Sequence, residues 1–252
     1  MSRKVLVTGG ASGIGKAIAA AFHAAGDEVY ACDIDAACLA SAAAELCRLK
    51  TGLCDIGDRR QVDTMVADAV EQLGGLDVLV NNAGIAGPTA PACHVDPEQW
   101  ERVLRINLTG TFDVTRNAIP HLVASGSGVI IIMSSAAGRF GYPNRSPYST
   151  TKWGLIGLTK TLSMELGEHN VRVNAILPGP VDGDRIQQVF QARARATGSS
   201  IDEVRSLALA NQSLKYLVDA EALAALALFL ASDAARSISG QLFPVDGDMQ
   251  RN

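Results

Sequence analysis

This sequence predicts an α/β fold: a doubly wound parallel sheet with helices on both faces. Three observations carry the expectation. Apolar, β-branched runs alternate with helical patterns along the whole chain, the order of successive βαβ units. The run Val129-Ile130-Ile131-Ile132-Met133 is apolar at every position, as in a strand covered by helices on both sides. The chain has 252 residues, which suits one large domain better than two.

In order, Lys4–Thr8 reads as the first strand and 14–25 as the first helix, after a glycine-rich turn. Glu28–Asp33, Lys50–Asp55 and Leu76–Asn81 follow as strands, with helices expected at 36–48 and 58–74. A long helix is expected at 97–124, because Asp96-Pro97-Glu98 offers an N-cap and a first-turn proline. Val129–Ser134 is the central strand, and Ser146-Pro147 repeats the capping signal for a helix over 148–169, with Tyr148 in its first turn. Arg172–Ile176, helices at 184–196 and 219–232, and Leu242–Val245 complete the pattern. The stretch of about 183–218 is polar and contains Gly198-Ser199-Ser200, so it reads as a substrate-loop insertion above the strand ends. The whole chain, 1–252, is expected to be one domain.

Bulk composition narrows the class. Hydrophobic residues make up 48%, enough for a core, and charged residues 19%, too few for disorder. A net charge of −4 offers nothing to nucleic acid or to an anionic membrane. The N-terminus runs directly into a strand, too short for a signal peptide, and no apolar run reaches the length of a membrane span. A cytoplasmic protein is the expectation. Five cysteines without a C-x-x-C pair read as free thiols, and four histidines without ligand spacing argue against a metal.

Two constellations carry chemistry. In Thr8-Gly9-Gly10-Ala11-Ser12-Gly13-Ile14-Gly15, glycines let backbone N–H groups approach a pyrophosphate at a helix start. Asp33 closes the second strand 18 residues after Gly15, where a carboxylate can accept from ribose hydroxyls and repel a 2′-phosphate. Ser12 stands where a basic residue would welcome that phosphate, so NAD is expected over NADP. Downstream, Ser135, Tyr148 and Lys152 supply what proton transfer to a carbonyl needs. A free tyrosine, with pKa ~10, is a poor base at neutral pH. Lys152 shares a helix face with Tyr148 and favours the phenolate, making Tyr148 a general acid/base. Ser135 can hydrogen-bond the substrate oxygen.

Together with Asn81-Asn82-Ala83-Gly84, Asn107, Pro178-Gly179 and Val245-Asp246-Gly247, these motifs resemble the short-chain dehydrogenase/reductase family from Lys4 to Gly247. The resemblance implies a single-domain Rossmann fold with a seven-stranded parallel sheet, and a homotetramer built through the fourth and fifth helices. It further implies a cofactor site of Gly9, Ser12, Gly13, Ile14, Gly15, Asp33, Asp55, Ile56, Asn81, Ala83, Gly84, Tyr148, Lys152, Pro178, Gly179 and Val181. In that site Asp55 and Ile56 meet the adenine, Asn81 and Ala83 line the adenosine and ribose, and the Val181 backbone meets the carboxamide. By the same resemblance Asn107 fixes a water that relays protons to Lys152. One position departs from the family pattern: Gly183 stands where a threonine is usual after Pro-Gly.

The substrate is less legible. Any of Arg139, Tyr142, Asn144, Arg145, His94 and Arg185 could face it, and the arginines could meet a carboxylate, although solvent-exposed arginines are commoner. A small secondary alcohol, polyol, sugar or hydroxy acid is expected. The alternative is reduction of a 3-oxoacyl thioester on acyl carrier protein or CoA. A non-catalytic cofactor sensor or scaffold is a further alternative, against which all four catalytic residues are retained.

Overall fold

The computed structural model describes residues 2–250; Met1, Arg251 and Asn252, at the outer limits of the expected domain, lie outside the described residues. Seven parallel strands form one sheet: β1 (Lys4–Thr8), β2 (Glu28–Asp33), β3 (Lys50–Leu53), β4 (Val78–Asn81), β5 (Val129–Met133), β6 (Arg172–Pro178) and β7 (Leu242–Val245). Their order is β3-β2-β1-β4-β5-β6-β7. The helices are α1 (Gly13–Ala24), α2 (Ala36–Glu45), α3 (Arg59–Leu73), α4 (Pro97–Leu104), α5 (Thr111–Ala124), α6 (Ser146–Glu165), α7 (Asp184–Thr197), α8 (Ile201–Ala210) and α9 (Ala220–Leu230).

Strand parity divides the core between the two faces. Leu6, Leu79, Ile130 and Ile132 pack with residues of α3, α5 and α6. Val5, Val7, Val80, Ile131 and Met133 pack on the other side with α1 and α9. Continuous apolar runs are therefore required, since both sets of alternate side chains leave water. Pro244 is accommodated because β7 is an edge strand. β6 extends two residues beyond its expected end; Pro178 lies past the β5 pairing, which stops at Ile176, so its missing donor costs no ladder bond on that side.

Several expected boundaries need correction; β3 ends at Leu53, β4 starts at Val78, β5 ends at Met133, α2 ends at Glu45 and α6 ends at Glu165. The expected helix 97–124 is interrupted by a wider, π-helical turn over Arg105–Gly110, with Asn107 inside it. Such turns commonly sit at functional sites. Ser146 is not an N-cap: α6 starts at Ser146, and Arg145 takes the cap position with no side-chain cap bond. Asp96 does cap α4, accepting from Glu98 N at 3.0 Å. α8 was not expected; Ser200 and Glu203 close a reciprocal capping box at its start. α7 and α8 share a small apolar cluster of Phe190, Ala194, Val204 and Leu217, distinct from the two sheet cores.

The sheet reverses its order of travel at β1, flanked by β2 on one side and β4 on the other. In open α/β sheets the crevice beyond the strand ends at that reversal is where ligands bind. Here it is tied together by side chains. Thr8 Oγ1 accepts from Asn82 N at 3.0 Å and Ala83 N at 3.1 Å, and Asn82 Nδ2 donates to Thr8 O and Gly9 O. No helix among the described residues is long and apolar enough to cross a membrane.

Candidate active site

Above the strand ends lies a cleft of about 990 Å³, lined by the turn after β1, the ends of β2 to β6, and α7. Gly9 and Gly13 hold left-handed dihedrals, φ +60° and +50°, and both line the cleft. Gly15 does not line it but is indispensable behind it: a Cβ there would stand 1.9 Å from Gly9 O. Ser12 caps α1 without a side-chain bond, so the first-turn N–H groups beside Gly13 and Ile14 receive nothing from its hydroxyl. A bare helix start opening on a cleft fits a pyrophosphate, which would satisfy those donors.

Asp33, Asp55, Ile56, Ala83, Gly84, Pro178, Gly179 and Val181 all line the same cleft, as do Ser12 and Ile14. The Asp33 carboxylate braces the turn, accepting from Ala11 N and Asp35 N, both at 3.2 Å. Asp55 Oδ1 accepts from Gly57 N at 2.8 Å. Val181 bridges to Val218 through bonds made by Pro180 and Asp182, so its own amide faces away from Val218. Asn81 departs from expectation. Its Nδ2 donates to Thr115 Oγ1 on α5 at 2.8 Å, and the residue is 4% exposed and absent from the lining. Strand parity puts it on the Leu79 face, under α5, and it is Asn82 that reaches the cleft. Gly183 adopts φ +135°, a region closed to threonine without strain, so backbone rather than hydroxyl chemistry starts α7.

The four candidate catalytic residues converge on one end of the cleft. Lys152 is buried and donates to Met133 O at 2.8 Å, while Ser134 Oγ donates to Lys152 O at 2.8 Å. Lys152 Nζ lies 5.6 Å from the Tyr148 ring centroid. Ser135 Oγ accepts from Ala137 N at 3.1 Å, and Ser135 lines the cleft with Tyr148. Burial pushes the Tyr148 phenol up, but Lys152, Arg185, Ser135 and Arg145 outweigh it, holding the phenol below its ordinary value. Lys152 is also held below the ordinary lysine value, by burial first and by Arg185, against the pull of Tyr148. Asn107 bonds elsewhere: Oδ1 accepts from Ile85 N at 2.7 Å, and Nδ2 donates to Ile85 O and Thr151 Oγ1. It thus clamps the loop after β4 to α6. Thr151, inside the Tyr148-x-x-x-Lys152 motif, links that motif to Asn107, and no local sequence pattern marks it.

Comparison with known proteins agrees with this geometry. A family model described as enoyl-(acyl carrier protein) reductase, of the short-chain alcohol dehydrogenase type, matches residues 9–250. The chain is 34% identical over 248 residues to the 3-oxoacyl-(acyl-carrier-protein) reductase FabG of Thermotoga maritima, covering 97% of this chain and 96% of that one. It is 35% identical over 255 residues to a D-beta-hydroxybutyrate dehydrogenase of Cupriavidus necator, covering 97% and 96%. The solved structure of an NAD+-bound xylitol dehydrogenase superposes with a TM-score of 0.94 at 28% identity, covering 97% and 98%. Sheet order, glycine turn and relatives all lead to one family, and the chain belongs to the short-chain dehydrogenase/reductases, oxidoreductases acting on CH–OH donors.

Proposed function

We propose that this enzyme interconverts a secondary alcohol and a ketone, with NAD(H) held in the cleft and Tyr148 as general acid/base. The observation that carries the reading is the half-buried Tyr148 at the wall of the cleft with Ser135, its ring centroid 5.6 Å from the Nζ of buried Lys152, whose charge makes the phenol more acidic. When bound, the nicotinamide supplies or accepts the hydride. In reduction Tyr148 donates its phenolic proton to the carbonyl oxygen, and Ser135 donates a hydrogen bond to the same oxygen. In oxidation the Tyr148 phenolate takes the hydroxyl proton, and Lys152 stabilises that phenolate. Asn107 positions the floor beneath them through Ile85 and Thr151. The test is nicotinamide absorbance with pooled alcohols, polyols, sugars and hydroxy acids, beside Tyr148→Phe. Reduction of NAD+ that survives in the variant would sink the assignment.

The preference for NAD rests on Asp33, which lines the cleft beside exposed Ile34, with Ser12 rather than a cation in the turn. Asp33→Asn keeps the acceptor for Ala11 N and removes the charge. It is expected to raise kcat/KM for NADP+ roughly 10- to 100-fold relative to NAD+. Equal or better use of NADP+ by the unaltered enzyme would overturn the preference. The Thermotoga maritima relative supports the second reading, 3-oxoacyl-thioester reduction; the same Asp33, without a basic neighbour, ranks it behind.

A homotetramer in the cytoplasm completes the proposal. Phe112 on α5 and Trp153 and Met164 on α6 are exposed, 46%, 50% and 84%, on the helices through which subunits would meet. Light scattering is expected to return four times the mass of the chain; a monomer would refute it.

A further inference from the structure

Three arginines line the cleft around Tyr148: Arg145 at the start of α6, and Arg185 and Arg193 on α7. Among the described residues none of the three forms an ion pair with a carboxylate. Arg185, Val189 and Arg193 are four residues apart, so they share one helix face, and all three line the cleft. Arg145 is 3% exposed. Its Nη2 donates to Ala86 O at 2.8 Å, but its Nε is buried with no partner at all. Its guanidinium lies 5.0 Å from the Tyr148 ring centroid and 5.4 Å from that of Tyr142, while Arg193 lies 5.6 Å from Tyr142.

An unsatisfied buried donor is rare in folded proteins and calls for a partner that arrives. Like charges gathered without a counter-ion repel one another, and that cost needs a compensating anion. Burial depresses the Arg145 guanidinium first, and Arg185 and Arg193 depress it further, against Tyr142 and Tyr148. Asp182 and Asp184 line the cleft too, but Asp182 Oδ1 accepts from Gly183 N, and neither acid forms an ion pair with Arg145, Arg185 or Arg193.

We propose that Arg145, Arg185 and Arg193 bind an anionic group on the substrate, a carboxylate, sulfonate or phosphate monoester, while Tyr148 meets its carbinol oxygen. Guanidinium forks match such planar or tetrahedral oxyanions through paired hydrogen bonds. This deepens the oxidoreductase reading and rests on it: among secondary alcohols it selects those bearing an acid over neutral alcohols, polyols and sugars.

Two measurements test it together. The first compares kcat/KM for acetoacetate and its methyl ester, then for a matched ketosulfonate and ketophosphate. The anion-to-ester ratio in the unaltered enzyme is expected to be roughly 10- to 100-fold, and to fall toward unity in Arg193→Met and in Arg185→Met. The strongest arm identifies the acid. The second is calorimetric binding of butyrate, propanesulfonate and propyl phosphate to the purified chain, a readout that needs no turnover. Saturable binding weakened about tenfold or more in Arg193→Met and in Arg145→Met is expected. An ester used as well as the acid, a ratio unmoved by the variants, or no anion binding overturns the proposal. Arginine-dependent anion binding without reduction of any ketone would support this site and defeat the oxidoreductase reading instead.

Discussion

Tyr148→Phe is expected to lower kcat by about 10²- to 10⁴-fold, the usual worth of a positioned proton donor. The ring fills the same space, so Arg145 keeps its aromatic neighbour and the wall of the cleft is retained. Only the hydroxyl goes, and with it the proton that reduction needs. Binding of NADH, followed by fluorescence, should change by no more than about tenfold, the scale of one lost hydrogen bond. That split between rate and binding distinguishes a lost acid from a damaged fold. Joint loss of turnover, cofactor binding and far-UV circular dichroism would point to the fold and leave the acid unassigned.

Lys152→Met carries the second large effect and separates chemistry from stability. Among the charges acting on the phenol, Lys152 is the largest, ahead of Arg185 and Arg145. Without it the phenol should rise toward its ordinary value of about 10. Alcohol oxidation needs the phenolate, so its rate climbs as pH rises through the phenol's pKa. Because that pKa is depressed in the unaltered enzyme, the climb falls at lower pH there and moves to higher pH in the variant. Reduction needs the phenol, so its falling limb moves the same way. The rate of alcohol oxidation at neutral pH should drop about 10²- to 10⁴-fold. Stability should scarcely change: methionine removes a buried cation and its desolvation cost, while leaving the Met133 carbonyl without its donor. A pH limb that stays in place would show that Lys152 does not set the acidity of Tyr148.

The sheet was legible because burial on both faces leaves a mark at every strand residue, as Val129 to Met133 shows. The glycine turn and the Tyr148–Lys152 pair were legible because backbone conformation and helix spacing each demand particular residues at particular intervals. Asn81 lies away from the cleft for a reason the sequence contains: Leu79 and Asn81 have the same strand parity, which sends both beneath α5. α8 was likewise written in the chain, as Ser200-x-x-Glu203, but the preceding Gly198-Ser199 led the stretch to be read as loop. What no local pattern could show is convergence. Arg145 and Arg193 are separated by 48 residues, and only the folded chain brings both to Tyr142. Asn107 and Thr151 meet by the same kind of long-range packing.

The small apolar cluster of α7 and α8 has a consequence for how such an enzyme changes over generations. Phe190 and Ala194 of α7, Val204 of α8 and Leu217 hold together a roof over the cleft without drawing on the sheet's two cores. A substitution on its cleft side, at Val189 or Arg193, therefore alters what the enzyme accepts while leaving the sheet cores untouched. New specificities can be sampled in the roof at little risk to the chemistry, which is inherited with the floor.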